Sequence, residues 1–213
     1  MTNKLAQDSP SDDGDGYRNG SNLPSPGLEV PFNFDMELFE FLRAINASPY
    51  TKFPVRIVYA ADRLSLTGSG RGANSLPNRR FPIKDYIHIA HDVGIEFHYL
   101  YNSPNLGNQG WLPPFREALH RHMDELAAAG VDCCVAAHPV VLHMLREWHP
   151  ELKRGSSVND HLDSVERARQ LIEFPGISNI MVDHRNSRNF PLVRALRKSF
   201  PNMDIIVLAN ESC

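Results

Sequence analysis

From Phe34 onward the chain alternates two hydrophobic periods. Phe34, Leu38, Phe39, Leu42 and Ile45 recur at three- and four-residue intervals, which predicts a helix over 34–45. Val55–Ala60 is a short β-branched and aromatic run and reads as a strand. The alternation then repeats, with a helix over Ile83–Val93 closed by Gly94, a strand over Ile95–Asn102, and a helix over Pro114–Ala129 closed by Gly130. Val131–Ala137 reads as a strand leading into a helix over Pro139–Trp148. Lys153–Val158 is a weaker strand, followed by a helix over Asp160–Glu173. Ser178–Asp183, Phe190–Ser199 and Met203–Ala209 complete the series as strand, helix and strand.

Strict strand–helix alternation calls for parallel strands covered by helices, an α/β class. The strands share a second feature. Asn102, His138, Asn159, Asp183 and Asn210 each stand at or just beyond a carboxyl end. In a (β/α) barrel that rim carries the active site, and an open doubly wound sheet places its ligands there too.

Charge divides the chain unevenly. Residues 1–30 contain Asp8, Asp12, Asp13, Asp15 and Glu29 against Lys4 and Arg18, and so hold the whole net charge of −3. That stretch is rich in Asp, Gly, Ser, Asn and Pro, which predicts a disordered acidic tail ahead of one domain over 31–213. The balanced remainder has no global field for gripping nucleic acid. No apolar run approaches the ~20 residues of a membrane helix, and the acidic N-terminus lacks a secretory pattern. Cys133, Cys134 and Cys213 are too few and too oddly placed for a disulfide framework, so a reducing, cytoplasmic setting is expected.

Gly68-Ser69-Gly70-Arg71-Gly72-Ala73 matches the G-x-G-x-x-A dinucleotide fingerprint in letters only. The fingerprint needs a helix to open at once, and here the next one starts about ten residues later, past Pro77 and Pro82. The loop is a candidate anion site instead, through its backbone amides and Arg71. His98 lies inside a strand. Alternation sets His98, Leu100 and Asn102 on one face and Phe97, Tyr99 and Tyr101 on the other. The aromatic set suits packing under helices, so His98 and Asn102 are expected inside the barrel, in a polar cluster with His138. His88, His91, His120 and His122 read as surface histidines. Cys133 and Cys134 read as small core residues on opposite faces of one strand.

Taken in order, these motifs resemble the peptidase U32 family, the collagenase-like proteases, from about Val55 to Cys213. The resemblance is carried by Gly68-Ser69-Gly70-Arg71, by Phe97-His98-Tyr99-Leu100-Tyr101-Asn102 and by Leu106-Gly107-Asn108. It continues through Gly130-Val131-Asp132, Pro139, Asp163-Ser164-Val165, Ser187-Arg188-Asn189-Phe190 and Asn210-Glu211-Ser212-Cys213. The last stretch is similar to the family's Asn-Glu-Gly-Cys, with Ser212 in place of glycine. His98 and His138 stand where many relatives have asparagine.

The resemblance implies a TIM-barrel-like domain with about six of eight βα units present, since a whole barrel takes about 250 residues. The domain is thus expected to be incomplete at its C-terminal end. The resemblance also implies that Cys213 is the first of four thiolate ligands to an iron–sulfur cluster, whose other ligands lie beyond this chain. The expected catalytic set is His98, Asn102, His138, Asp183, Asn210 and Glu211. Gly68, Ser69, Gly70, Arg71 and Arg188 are expected to bind substrate or an anion. Three functions follow. The first is a cluster-dependent modifying enzyme of the oxygen-independent hydroxylation type. The second is a peptidase or other hydrolase, and the third a non-catalytic binding or accessory subunit. The substrate is a small molecule, RNA or a peptide, and a partner chain or second copy is expected to complete the barrel.

Overall fold

A computed structural model describes residues 26–67 and 76–210. Its strands form one parallel sheet in chain order, β1 (Leu28–Pro31), β2 (Val55–Ala60), β3 (Glu96–Tyr101), β4 (Cys133–Ala136), β5 (Lys153–Ser156), β6 (Asn179–Met181) and β7 (Asp204–Ile206). The helices between them are α1 (Glu37–Ala47), α2 (Ile83–Asp92), α3 (Pro113–Ala129), α4 (Pro139–Trp148), α5 (Val165–Glu173) and α6 (Phe190–Ser199). The sheet curls into a TIM-barrel-like half-barrel, and β1 and β7 are its edges. Among the described residues, no helix is long and apolar enough to cross a membrane.

β1 corrects the expected strand count from six to seven. It takes up 28–30, the end of the stretch read as tail; residues 1–25 lie outside the described residues. Leu28 and Val30 alternate with Glu29 between them, but four residues are too few for that period to mark a strand. They become a strand by pairing with β2, Val30 beside Val58 and Pro31 beside Tyr59.

Register shows which side chains share a face. One outward row runs Ala60, Tyr99, Cys134 and Arg154, and Tyr101 is level with Ala136 above it. Phe97, Tyr99 and Tyr101 are fully buried there beneath the helices, as the alternation predicts. Burial of three such rings adds apolar area to the core that drives folding. An inward row runs Tyr59, His98, Cys133 and Lys153, and the next runs Leu100, Val135, Gly155, Asn179 and Asp204. Gly155 leaves room that this second row needs. A Cβ there would come within 2.9 Å of both Asn179 Oδ1 and Val135 Cγ2. Gly130 ends α3 in the left-handed region, at φ +83°.

Candidate active site

The polar chemistry collects at the carboxyl ends of β2, β5 and β6. Beyond β5, Ser157 opens a single 3-10 turn over Val158–Asp160. Its backbone N–H donates to Asp160 Oδ2 at 2.6 Å, and its hydroxyl accepts from the Asn159 N–H at 3.0 Å. The turn ends at His161, which sits at φ +50°. A non-glycine residue held in that region costs free energy that the surroundings must offset. The outcome is a half-open imidazole turned toward β6.

Asp183 stands two residues beyond β6 and is fully buried. Its Oδ2 lies 2.9 Å from His161 Nδ1. Its Oδ1 accepts from the Arg185 backbone N–H at 2.8 Å and from Arg185 Nε at 3.0 Å, while Arg185 Nη2 donates to Oδ2 at 3.0 Å. These donors hold the Asp183 carboxyl well below the usual carboxylate range, Arg185 contributing most. An ionised carboxylate can only accept, so His161 Nδ1–H is the donor, and in the neutral ring Nε2 carries the lone pair. The His161 side chain is 61% exposed, which leaves Nε2 open to solvent or substrate. A histidine oriented by a buried carboxylate is the proton-transfer unit of many hydrolases.

Asp160 lies next to His161 in sequence but in the opposite environment. Burial pushes its carboxyl up to about 7, against the lowering effect of the Ser157 N–H. Its Oδ1 is buried with no hydrogen-bond partner among the described residues. Two carboxyls driven in opposite directions beside one histidine are the arrangement from which acid and base roles are assigned. Asn102 adjoins this group, its carbonyl accepting from Asn159 Nδ2 at 2.8 Å, and its own Oδ1 is buried without a partner.

The other expected site residues are dispersed. His98 points inward, as predicted, but its Nε2 lies 3.2 Å from Glu96 Oε2, toward the amino ends of the strands. That contact, with Lys153, holds Glu96 down to about 2. Asn102 is four residues further on, one past the end of β3, about 13 Å away at strand rise. His138 caps α4, its Nδ1 accepting from the Val140 N–H at 3.2 Å, and burial lowers it from the usual histidine value. It borders a cavity of about 80 Å³ with Asn105 and Trp111. Arg188 and Asn210 are exposed. Gly68, Ser69, Gly70, Arg71, Glu211 and Cys213 lie outside the described residues. His122, expected at the surface, is buried, with Nδ1 2.8 Å from the Tyr101 hydroxyl.

Sequence reasoning reached Asp183 through its place at a strand end but passed over His161, Asp160 and Arg185. His161 carried one usable signal, its position just beyond the Asn159 already marked as a rim residue.

The described cysteines do not fit an iron–sulfur cluster. Cys133 faces inward and Cys134 outward, both are buried, and burial pushes the Cys134 thiol up to about 12. A cluster needs converging thiolates.

No protein family and no curated protein matches the chain by sequence. Solved structures do. The chain is similar to the U32 peptidase Mk0906, with a TM-score of 0.61 and 18% identity over 90% of this chain and 72% of that one. The fold is TIM-barrel-like. A putative copper homeostasis protein CutC from Streptococcus agalactiae matches with a TM-score of 0.56 and 15% identity, over 84% of this chain and 85% of that one. A glycerophosphodiester phosphodiesterase from Parabacteroides distasonis matches with a TM-score of 0.56 and 8% identity, over 88% and 86%.

Proposed function

We propose that this chain is a U32-like TIM-barrel enzyme performing general acid–base hydrolysis at the carboxyl ends of its strands, with His161 as the catalytic residue. The observation that carries this reading is the 2.9 Å contact between the open His161 imidazole and the fully buried Asp183. His161 Nε2 takes a proton from water as that water attacks the scissile group, then returns it to the leaving atom. Asp183 is the positioning residue, fixing the tautomer and steadying the imidazolium formed midway. Arg185 holds Asp183 in place from the solvent side. Supporting the hydrolytic reading are two fold relatives whose names are those of hydrolases, a peptidase and a phosphodiesterase.

The motif resemblance supports a finer reading, a cluster-dependent modifying enzyme with Cys213 as a ligand. The described thiols, Cys133 and Cys134, do not fit that cluster.

The test is turnover of a fluorogenic peptide, an aryl phosphodiester and an aryl glycoside by the full chain and by His161→Ala. Loss of ~10²–10⁴-fold in kcat on the substrate turned over is expected. Equal turnover by wild type and variant, or none on all three substrates, sinks the proposal.

A further inference from the structure

The outer helical layer holds a second cluster of chemistry-bearing side chains, remote from the rim. His120 and Asp124 stand one turn apart on α3, and His149 follows the last residue of α4. One ligand atom from each falls within 4.8 Å of the other two. Asp124 Oδ1 lies 3.0 Å from His149 Nε2 and 3.7 Å from His120 Nε2. A tetrahedral ion with bonds of about 2.0–2.1 Å spaces its ligand atoms about 3.3 Å apart, so small side-chain adjustments complete the shell.

Both rings are held in place. His149 Nδ1 is 3.1 Å from Glu151 Oε1, and its side chain is 12% exposed. A carboxylate at Nδ1 draws the imidazole proton there and leaves the Nε2 lone pair facing the ligand position. His120 stacks on Trp148 at 4.4 Å between centroids, with ring planes 24° apart. His120 Nε2 approaches the same Asp124 oxygen from the other side, so ligand atoms from α3 and from the end of α4 converge on one point.

We propose that His120, Asp124 and His149 bind a zinc ion, with Glu151 orienting His149 and water in the fourth position. Two imidazole nitrogens and one carboxylate oxygen suit zinc better than the all-oxygen shells of calcium or magnesium. The site ties the middle of α3 to the end of α4. Helices of a βα unit run back from the carboxyl ends of the strands, so this tie lies toward the amino-end face, where side chains serve stability. The ion is a staple of the outer layer.

The experiment uses the full chain stripped with chelator and titrated with zinc chloride, followed by calorimetry and by melting temperature. Cobalt(II) serves as a spectroscopic probe of tetrahedral geometry. One ion per chain is expected, with a melting temperature that climbs with free zinc and the intense visible bands of tetrahedral cobalt. His120→Ala and His149→Ala each weaken zinc binding at least ~100-fold, and Glu151→Gln weakens it ~10–100-fold. His88→Ala is the control. His88 forms a similar i, i+4 pair with Asp92 at 3.6 Å, yet no third ligand joins it among the described residues, so its loss leaves binding unchanged. Circular dichroism shows that each variant is folded. Zinc affinity equal to wild type in both folded histidine variants overturns the proposal. So does a wild-type chain that shows neither a zinc-dependent melting shift nor the cobalt bands.

Discussion

Asp62 and Asp183 are the same device built twice, once sealed and once open. Each stands two residues beyond its strand, β2 or β6. Each lends Oδ1 to the backbone N–H two residues on, at 2.8 Å in both cases. Each carbonyl accepts from the N–H three residues on, and each carboxylate pairs with an arginine from the loop that follows. Only the cover differs. Asp62 is enclosed by Arg79, 8% exposed, and by the Tyr99 hydroxyl at 2.9 Å. Asp183 meets Arg185, 66% exposed, and the open ring of His161. A carboxylate closed on all sides can only hold a loop, whereas one whose partners face water can act on a substrate through them.

The comparison breaks first at the open copy. His161→Ala should reduce turnover by ~10²–10⁴-fold and leave the melting temperature near wild type, since the ring is mostly in water. If turnover survives and the fold does not, the open copy is structural as well.

Next in size is the sealed copy. Asp62→Ala removes one partner of a buried ion pair and leaves Arg79 with only its 3.5 Å contacts to the half-exposed Glu125, which costs about 3–5 kcal/mol. Urea unfolding at neutral pH measures it. A loss below ~1 kcal/mol would mean that Arg79 escapes to solvent and that the loop is not sealed.

The two copies were unequally legible from sequence, and the reason is range. Val55–Ala60, Pro139–Trp148 and Phe190–Ser199 stand where the hydrophobic periods place them, because period, proline and glycine signals act within a few residues. Asp183 was visible for the same reason, as a polar residue at a strand end. The arginine of each copy lies at a different distance, 17 residues from Asp62 to Arg79 and two from Asp183 to Arg185. His161 reaches Asp183 across 22 residues and only through a positive-φ turn. β1 is the extreme case, a strand defined by its neighbour. His98 shows the opposite limit: alternation gave its face correctly, but not which end of the barrel its hydrogen bond would favour.

Asp160 sharpens the contrast, since it is buried like Asp62 yet lies at the open site. Its folded value, about 7, is above the ordinary aspartate value. A raised acid contributes stability fully below its unfolded value, and that contribution is lost as pH rises through the folded one. Stability should therefore fall between about pH 4 and 7, by up to about 4 kcal/mol for a shift of roughly three units. Asp160→Asn keeps an acceptor for the Ser157 N–H and should flatten that part of the profile. Thermal unfolding from pH 4.5 to 8 compares the two proteins, and parallel curves would show that Asp160 ionises freely in the fold.

The smallest effect is Asp183→Ala, and it bears most directly on why exposure matters. The substitution removes the side-chain cap of the His184–Asn186 turn, a loss of about 0.5–2 kcal/mol. Arg185 and His161 then return to water instead of being trapped, so the cost stays below that of Asp62→Ala. The folded Asp183 carboxyl is held down, and such a group stabilises above its unfolded value and loses that contribution as pH falls. The gap between wild type and variant should therefore be full at pH 7 and narrow below about pH 4. Urea titrations at the two pH values measure it. A cost at pH 7 matching that of Asp62→Ala would show that cover does not separate the two carboxylates, and the distinction between loop clasp and active site would have to rest on His161 alone.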